Sequence, residues 1–135
     1  FRTLCQRAID LGKPISIHAR ESFDDIMNII DDLDFQPNRF NGFLHCFTGN
    51  FEQGIFFIEK GFKLGIGGII TYKKSDELRK TVKDLIELYS DRSFDDLFGL
   101  ETDSPYLSPE PKRGEINSPE NIKIIRDFIV KEILQ

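Results

Sequence analysis

The stretch Asn41-Gly42-Phe43-Leu44-His45-Cys46-Phe47-Thr48-Gly49 is an apolar run of strand character that turns polar at its end, where it carries a histidine. The same form occurs upstream, where Lys13-Pro14-Ile15-Ser16 leads into Ile17-His18-Ala19-Arg20. It occurs again downstream, where Leu97-Phe98-Gly99-Leu100 leads into Glu101-Thr102-Asp103-Ser104-Pro105-Tyr106-Leu107. His18 and His45 are the only two histidines in the chain. An α/β protein places its chemistry where buried strands emerge into loops. Two imidazoles and the Asp103 carboxylate sit on three separate strand ends, and they converge if those strands lie side by side in a parallel sheet. Such convergence is how a metal site is built.

Working outward, helix and strand alternate. Leu4, Ala8 and Leu11 fall on one face of a helix over 3–11 that Gly12 stops, and a strand over 14–18 follows. Phe23, Ile26, Ile29, Ile30 and Leu33 have helical spacing over 22–33, with Asp24 and Asp25 favourable at the positive N-terminal end. After a loop at Pro37-Asn38 comes the strand over 42–46. Asn50 caps a predicted helix over 51–60 striped by Phe51, Ile55 and Ile58, and Gly61 ends it. A strand over 62–66 runs into Gly65-Ile66-Gly67-Gly68. Ser75 is the expected cap of a helix that turns Leu78, Val82, Leu85 and Tyr89 inward, and a strand over 96–101 follows. Ser118-Pro119-Glu120 opens the last helix, with Ile122, Ile125, Ile129 and Ile133 on its apolar face.

This alternation makes βα units on a parallel sheet within a single domain, residues 1–135. Four parallel βα units form either an open doubly wound domain or half of a (β/α)8 barrel. The placement of His18, His45 and Asp103 at carboxyl ends of strands favours the half-barrel. Closing such a barrel takes roughly 250 residues. The chain has 135, and its start at Phe1 rather than Met reads as processing or as part of something longer.

Composition narrows the classes of function. The chain is 39% apolar with thirteen Phe, enough to bury a core. A net charge of −5 gives no basic footprint for a sequence-independent nucleic-acid clamp, although a phosphate held through a bound cation is compatible with it. Two cysteines without CxxC spacing favour a reducing compartment, the cytoplasm foremost and the nucleus as an alternative. No apolar run reaches the roughly 20 residues of a membrane span, so no membrane partner is expected.

The segments Ile17-His18-Ala19-Arg20, Leu44-His45-Cys46-Phe47-Thr48-Gly49, Lys63 to Arg79 and Glu101 to Ile122 resemble, in order, the second half of the TatD family of metal-dependent deoxyribonucleases. The resemblance runs from near Phe1 to the final helix. It implies the C-terminal half of a TIM barrel and a divalent metal centre to which His18, His45 and Asp103 contribute, Asp103 also handling a proton in catalysis. It places the family's His-x-His pair and middle-strand Glu before Phe1. It implies Mg2+ foremost, with Mn2+ or Zn2+ as alternatives, and a transiently bound DNA, single-stranded or at its ends, as partner of a monomeric full-length protein. Leu88 to Phe94 departs from the pattern as a longer link into the last strand.

Each residue also has a plainer reading. A lone histidine on a strand is most often a satisfied structural one, and Glu101 is either a site residue or a hydrogen-bonding partner inside the barrel. Arg20, Lys73, Arg113 and Asn117 are the expected phosphate-binding set, since a guanidinium grips phosphate with two hydrogen bonds and lysine acts as a point charge. Lys73 and Lys74 are equally an ordinary solvated helix entry, and Arg113 a structural tie. Gly65-Ile66-Gly67-Gly68 breaks the dinucleotide spacing at Ile70. Cys46 reads as a small buried hydrophobe or a thiolate ligand, and Tyr106 as a packed loop aromatic or a base-stacking platform. A phosphodiester hydrolase, an amidohydrolase-type enzyme acting on C–N or ester bonds, and a non-catalytic half-barrel binding module are the three functional readings. The chain alone is expected to bind metal weakly and to show little nuclease activity.

Overall fold

Ile15–His18 (β1), Gly42–His45 (β2), Phe62–Ile66 (β3) and Phe98–Leu100 (β4) form one sheet in the order β1-β2-β3-β4, every neighbouring pair parallel. The computed structural model describes residues 1–135. Strand order that follows chain order means that every crossover turns the same way, as in a barrel, rather than reversing as in a doubly wound sheet. The crossovers contain Phe23–Asp31 (α2), Phe51–Glu59 (α3) and Asp76–Leu88 (α4). Arg2–Leu11 (α1) precedes the sheet, and Ile122–Glu132 (α6) follows it.

Side chains alternate across the strands, and the two faces differ in kind. Ile17, Leu44, Leu64 and Phe98 form a fully covered row, packed with Ile26 and Ile30 of α2, Phe57 and Ile58 of α3, Val82 and Leu85 of α4, and Ile125 and Ile129 of α6. The opposite face carries Ser16, His18, Phe43, His45, Lys63 and Gly65, most of them open or half-buried. That face leads to the carboxyl ends of the strands and is the face on which the polar residues meet.

The expected elements are present, with four differences. In α1 the docked residues are Cys5 and Ala8, while Leu4 and Leu11 are 73% and 57% exposed. Ala8 belongs to two adjacent apolar stripes, and the slimmer one, with Cys5, joins the core. Ser75 and Ser118 make no side-chain cap bond. Ser118 instead precedes a 3₁₀ turn, Pro119–Asn121, whose Asn121 N–H donates to the Ser118 carbonyl at 2.9 Å. Residues 94–97, in part read as strand, form a helical turn, Phe94–Leu97 (α5). Asp96 there accepts from the Ser93 N–H at 2.9 Å, and Ser93 Oγ accepts from the Asp96 N–H at 3.3 Å. This local box outcompetes strand propensity and shortens β4.

Asn50 does cap α3. Its Oδ1 accepts from the Gln53 N–H at 2.9 Å, and Gln53 Oε1 accepts from the Asn50 N–H at 3.0 Å. Asn50→Ala is expected to cost about 1 kcal/mol and Leu64→Ala about 2–5 kcal/mol, measured by urea denaturation followed by circular dichroism.

Candidate functional site

The parallel register sets His18 directly beside His45 at the ends of β1 and β2. Their ring centroids lie 5.9 Å apart. The backbone beyond β4 stays in the ladder for one more bond, from the Glu101 N–H to the Ile66 carbonyl at 3.1 Å. Glu101 is therefore carried to the same end of the sheet, and Asp103 follows two residues later. Of the three residues read from the sequence as metal donors, His45 and Asp103 meet, with His45 Nε2 3.1 Å from Asp103 Oδ1, while His18 stands beside His45 without a hydrogen bond of its own to Asp103.

Glu101 is more deeply engaged than the sequence suggested. Its Oε2 is 2.9 Å from His45 Nδ1, so one imidazole is held between two carboxylates. Its Oε1 accepts from the Cys46 N–H. Donor atoms of His45, Cys46 and Glu101 all lie within 4.8 Å of one another. The available signal was the period-2 spacing of Glu101 and Asp103 on one side of the chain; that His45 would stand between them was not readable from spacing.

Charge follows from this geometry. Burial on its own lowers the His45 pKa, but the hydrogen bond and charge of Glu101, then those of Asp103, outweigh it and the net displacement is upward. Burial pushes the Cys46 thiol far above the ordinary thiol range, and the Glu101 hydrogen bond and the two carboxylate charges add to it. These surroundings disfavour the thiolate form of Cys46.

The outer residues divide. Arg20 and Lys73 are exposed on the loops after β1 and β3. Arg113 stacks its guanidinium 4.3 Å above the Tyr72 ring, and the Tyr72 hydroxyl donates to the Ser108 carbonyl at 3.1 Å. Asn117 is only 5% exposed and is spent on its own loop. Its Nδ2 donates to the Thr102 and Tyr106 carbonyls at 2.7 and 2.6 Å, and its Oδ1 accepts from the Ser118 N–H at 2.9 Å and Asn121 Nδ2 at 2.8 Å. Asn117 therefore braces the backbone on both sides of Asp103 and has no free group to offer a ligand.

The donor set suits a divalent cation. Imidazole nitrogen and carboxylate oxygen are ordinary ligands for Mg2+, Mn2+ and Zn2+. Glu101 occupies Nδ1 of His45, which leaves Nε2 toward Asp103, and His18 makes no side-chain hydrogen bond of its own.

A family model described as TatD related DNase matches residues 1–133. An uncharacterized metal-dependent hydrolase of Buchnera aphidicola subsp. Acyrthosiphon pisum is 37% identical over 135 residues, covering 98% of this chain and 47% of the relative. The metal-dependent hydrolase YabD of Bacillus subtilis is 31% identical over 131 residues, covering 97% of this chain and 48% of its own length. Among solved structures, the TatD homologue YjjV of Escherichia coli aligns with a TM-score of 0.76 at 23% identity, over 96% of this chain and 45% of that one. The TatD family hydrolase of Entamoeba histolytica aligns with a TM-score of 0.70 at 21% identity, over 98% and 49%. The fold is that of half a (β/α)8 barrel, and the chain spans about half the length of the relatives it matches.

The raised His45 pKa carries a sign. A group whose pKa is higher in the folded state adds stability below its unfolded value, about 6.5, and loses that contribution as pH rises through the folded value. With metal chelated, the chain is expected to lose stability as pH rises above the unfolded value of about 6.5. His45→Gln should flatten that slope in denaturant titrations.

Proposed function

Because the chain belongs to the TatD-related DNase family, we propose that it supplies His18, His45 and Asp103 to a divalent-metal-dependent phosphodiester hydrolase acting on DNA. The observation that carries the reading is His45 Nε2 facing Asp103 at 3.1 Å, with His18 in register beside it and Glu101 holding the far side of the ring. The cation, Mg2+ foremost and Mn2+ or Zn2+ as alternatives, would supply an acidified water and cover for charge on the phosphoryl oxygens.

The chain's own residues do the rest. The two imidazoles and the Asp103 carboxylate would hold the cation, and the second oxygen of Asp103 is available to take a proton from an attacking water. Arg20 and Lys73 offer unpaired cations to the phosphates of a single-stranded DNA or a DNA end. Arg113, braced on Tyr72, offers a third whose direction is set by stacking. Asn117 acts indirectly, by fixing the loop that carries Asp103. No helix is long and apolar enough to cross a membrane, and the proposed setting is the cytoplasm, with the full-length protein a monomer.

The test assays the chain alone, and with whatever residues its gene encodes before Phe1, against single-stranded DNA, a simple phosphodiester, and amide and carboxylic ester substrates in each metal. Weak metal binding and little turnover are expected of the chain alone, because a partial donor set defines a metal poorly. In the active form, Asp103→Asn should lower turnover on DNA by about 10²- to 10⁴-fold, while Arg113→Ala should raise KM with kcat little changed. Turnover of amides or carboxylic esters in place of DNA, or near-native turnover by Asp103→Asn, would overturn the reading.

A further inference from the structure

We propose that Glu101 is a positioning residue that locks His45 with its proton on Nδ1 and its lone pair on Nε2, and that Gly65 is the residue that makes room for this lock. The inference rests on the reading of His45 as a metal ligand for its purpose, though not for its geometry.

A neutral imidazole has one donor nitrogen and one acceptor, and a metal needs the acceptor. His45 has a carboxylate at each nitrogen, Glu101 at Nδ1 and Asp103 at Nε2, at 2.9 and 3.1 Å. Left to these two alone, the ring has little reason to prefer either tautomer. The decision lies in how firmly each carboxylate is held. Glu101 is anchored a second time, since its other oxygen accepts from the Cys46 N–H. Cys46 has φ +49°, a left-handed conformation that costs a non-glycine residue on the order of 1–3 kcal/mol and persists only where its surroundings hold it there. The carboxylate that holds the ring of residue 45 thus also holds the strained backbone of residue 46. Neither contact can shift without the other.

Gly65 completes the unit. It lies within β3, its φ is not positive, and nothing about its backbone asks for glycine. A glycine in a strand interior weakens the strand and calls for a reason. The reason is space: a Cβ at residue 65 would stand 2.8 Å from Cδ and Oε2 of Glu101 and 2.9 Å from Oε1, inside van der Waals contact with all three carboxyl atoms. These atoms are the end of a flexible side chain, so a methyl group there would displace the carboxylate rather than break the sheet.

Heteronuclear NMR of the imidazole nitrogens tests this in the full chain, with metal chelated and at a pH where His45 is neutral. The native chain should show a protonated Nδ1 and an unprotonated Nε2. In Gly65→Ala the carboxylate is expelled and Asp103 becomes the better-placed acceptor, so the proton should move to Nε2. Glu101→Gln, which keeps an acceptor but loses the charge, should give a mixture of both tautomers. In parallel, Mn2+ affinity measured calorimetrically in the longest form of the protein that binds it should fall by about 10- to 100-fold in Gly65→Ala, as for other lost partners of ligating histidines. An Nε2–H tautomer in the native chain, or an unchanged Nδ1–H tautomer in both variants, would overturn the inference. If Gly65→Ala fails to fold, Glu101→Gln carries the same decision. If the tautomer shifts as described but no form of the protein binds Mn2+, Mg2+ or Zn2+, the lock stands and the proposed metal-dependent function falls.

Discussion

The in-phase pairing of β1 with β2 is the constraint on which the rest depends. Ile17 pairs with Leu44 and His18 with His45, so the residues that fill the core and the residues that meet at the site are alternate members of the same two strands. A slip of one residue would turn the apolar row outward and the histidines into the helices. The core forbids it. Ile17, Leu44, Leu64 and Phe98 are each nearly or fully buried, and a fully buried side chain of this size contributes about 1.5–3 kcal/mol relative to exposure. Packing free energy spent on one face of the sheet therefore fixes the positions of polar groups on the other.

Those polar groups meet where the backbone itself is strained. The non-glycine residues with left-handed φ are Glu21, Cys46, Asp103 and Leu107, all in the segments that follow β1, β2 and β4. Such residues persist where neighbours over-determine them. At Cys46 the neighbour is the Glu101 carboxylate. At Leu107 it is Gly68, where a Cβ would lie 2.1 Å from the Leu107 carbonyl oxygen, so the loop carrying Asp103 closes directly onto the turn after β3. The run Gly65-Ile66-Gly67-Gly68, which has the look of a broken nucleotide fingerprint, thus serves two close approaches, a carboxylate at Gly65 and a backbone carbonyl at Gly68.

Much of this was legible in the sequence because periodicity and burial agree. The four strands and the five longer helices occur where the spacing places them, and strand ends rich in histidine and aspartate indicate a site whatever the surrounding loops do. The misreadings come where two local signals compete. Leu4 and Leu11 make a fair stripe, but Cys5 shares Ala8 with a second stripe and docks instead. Ser93 and Asp96 make a capping box stronger than the strand signal of the residues around them. Asn117 carries the donors and acceptors of a phosphate ligand, yet a buried amide with four partners has none left over, and no spacing rule reveals which partners a loop will present. Glu101 was visible as a same-side neighbour of Asp103. Its partner, a histidine 56 positions earlier in the chain, is supplied by the fold alone.

The site is closed on one flank and open on the other. Glu101 and Asp103 each pair with His45, and the three are roughly a quarter to a third exposed, whereas His18 is exposed and makes no side-chain hydrogen bond. When His45 takes up a second proton, that proton lies between Nε2 and Asp103, and a divalent cation would satisfy the same two groups with greater charge. On the proposed reading, metal and proton compete for His45 Nε2, and Glu101 keeps that competition on a single nitrogen by occupying the other. Further donors have to come across the face that His18 borders, since the opposite flank is filled by Glu101, the Cys46 backbone and the bare surface of Gly65. On that reading, the fold commits its rigid side to orienting His45 and leaves its open side to any further donor.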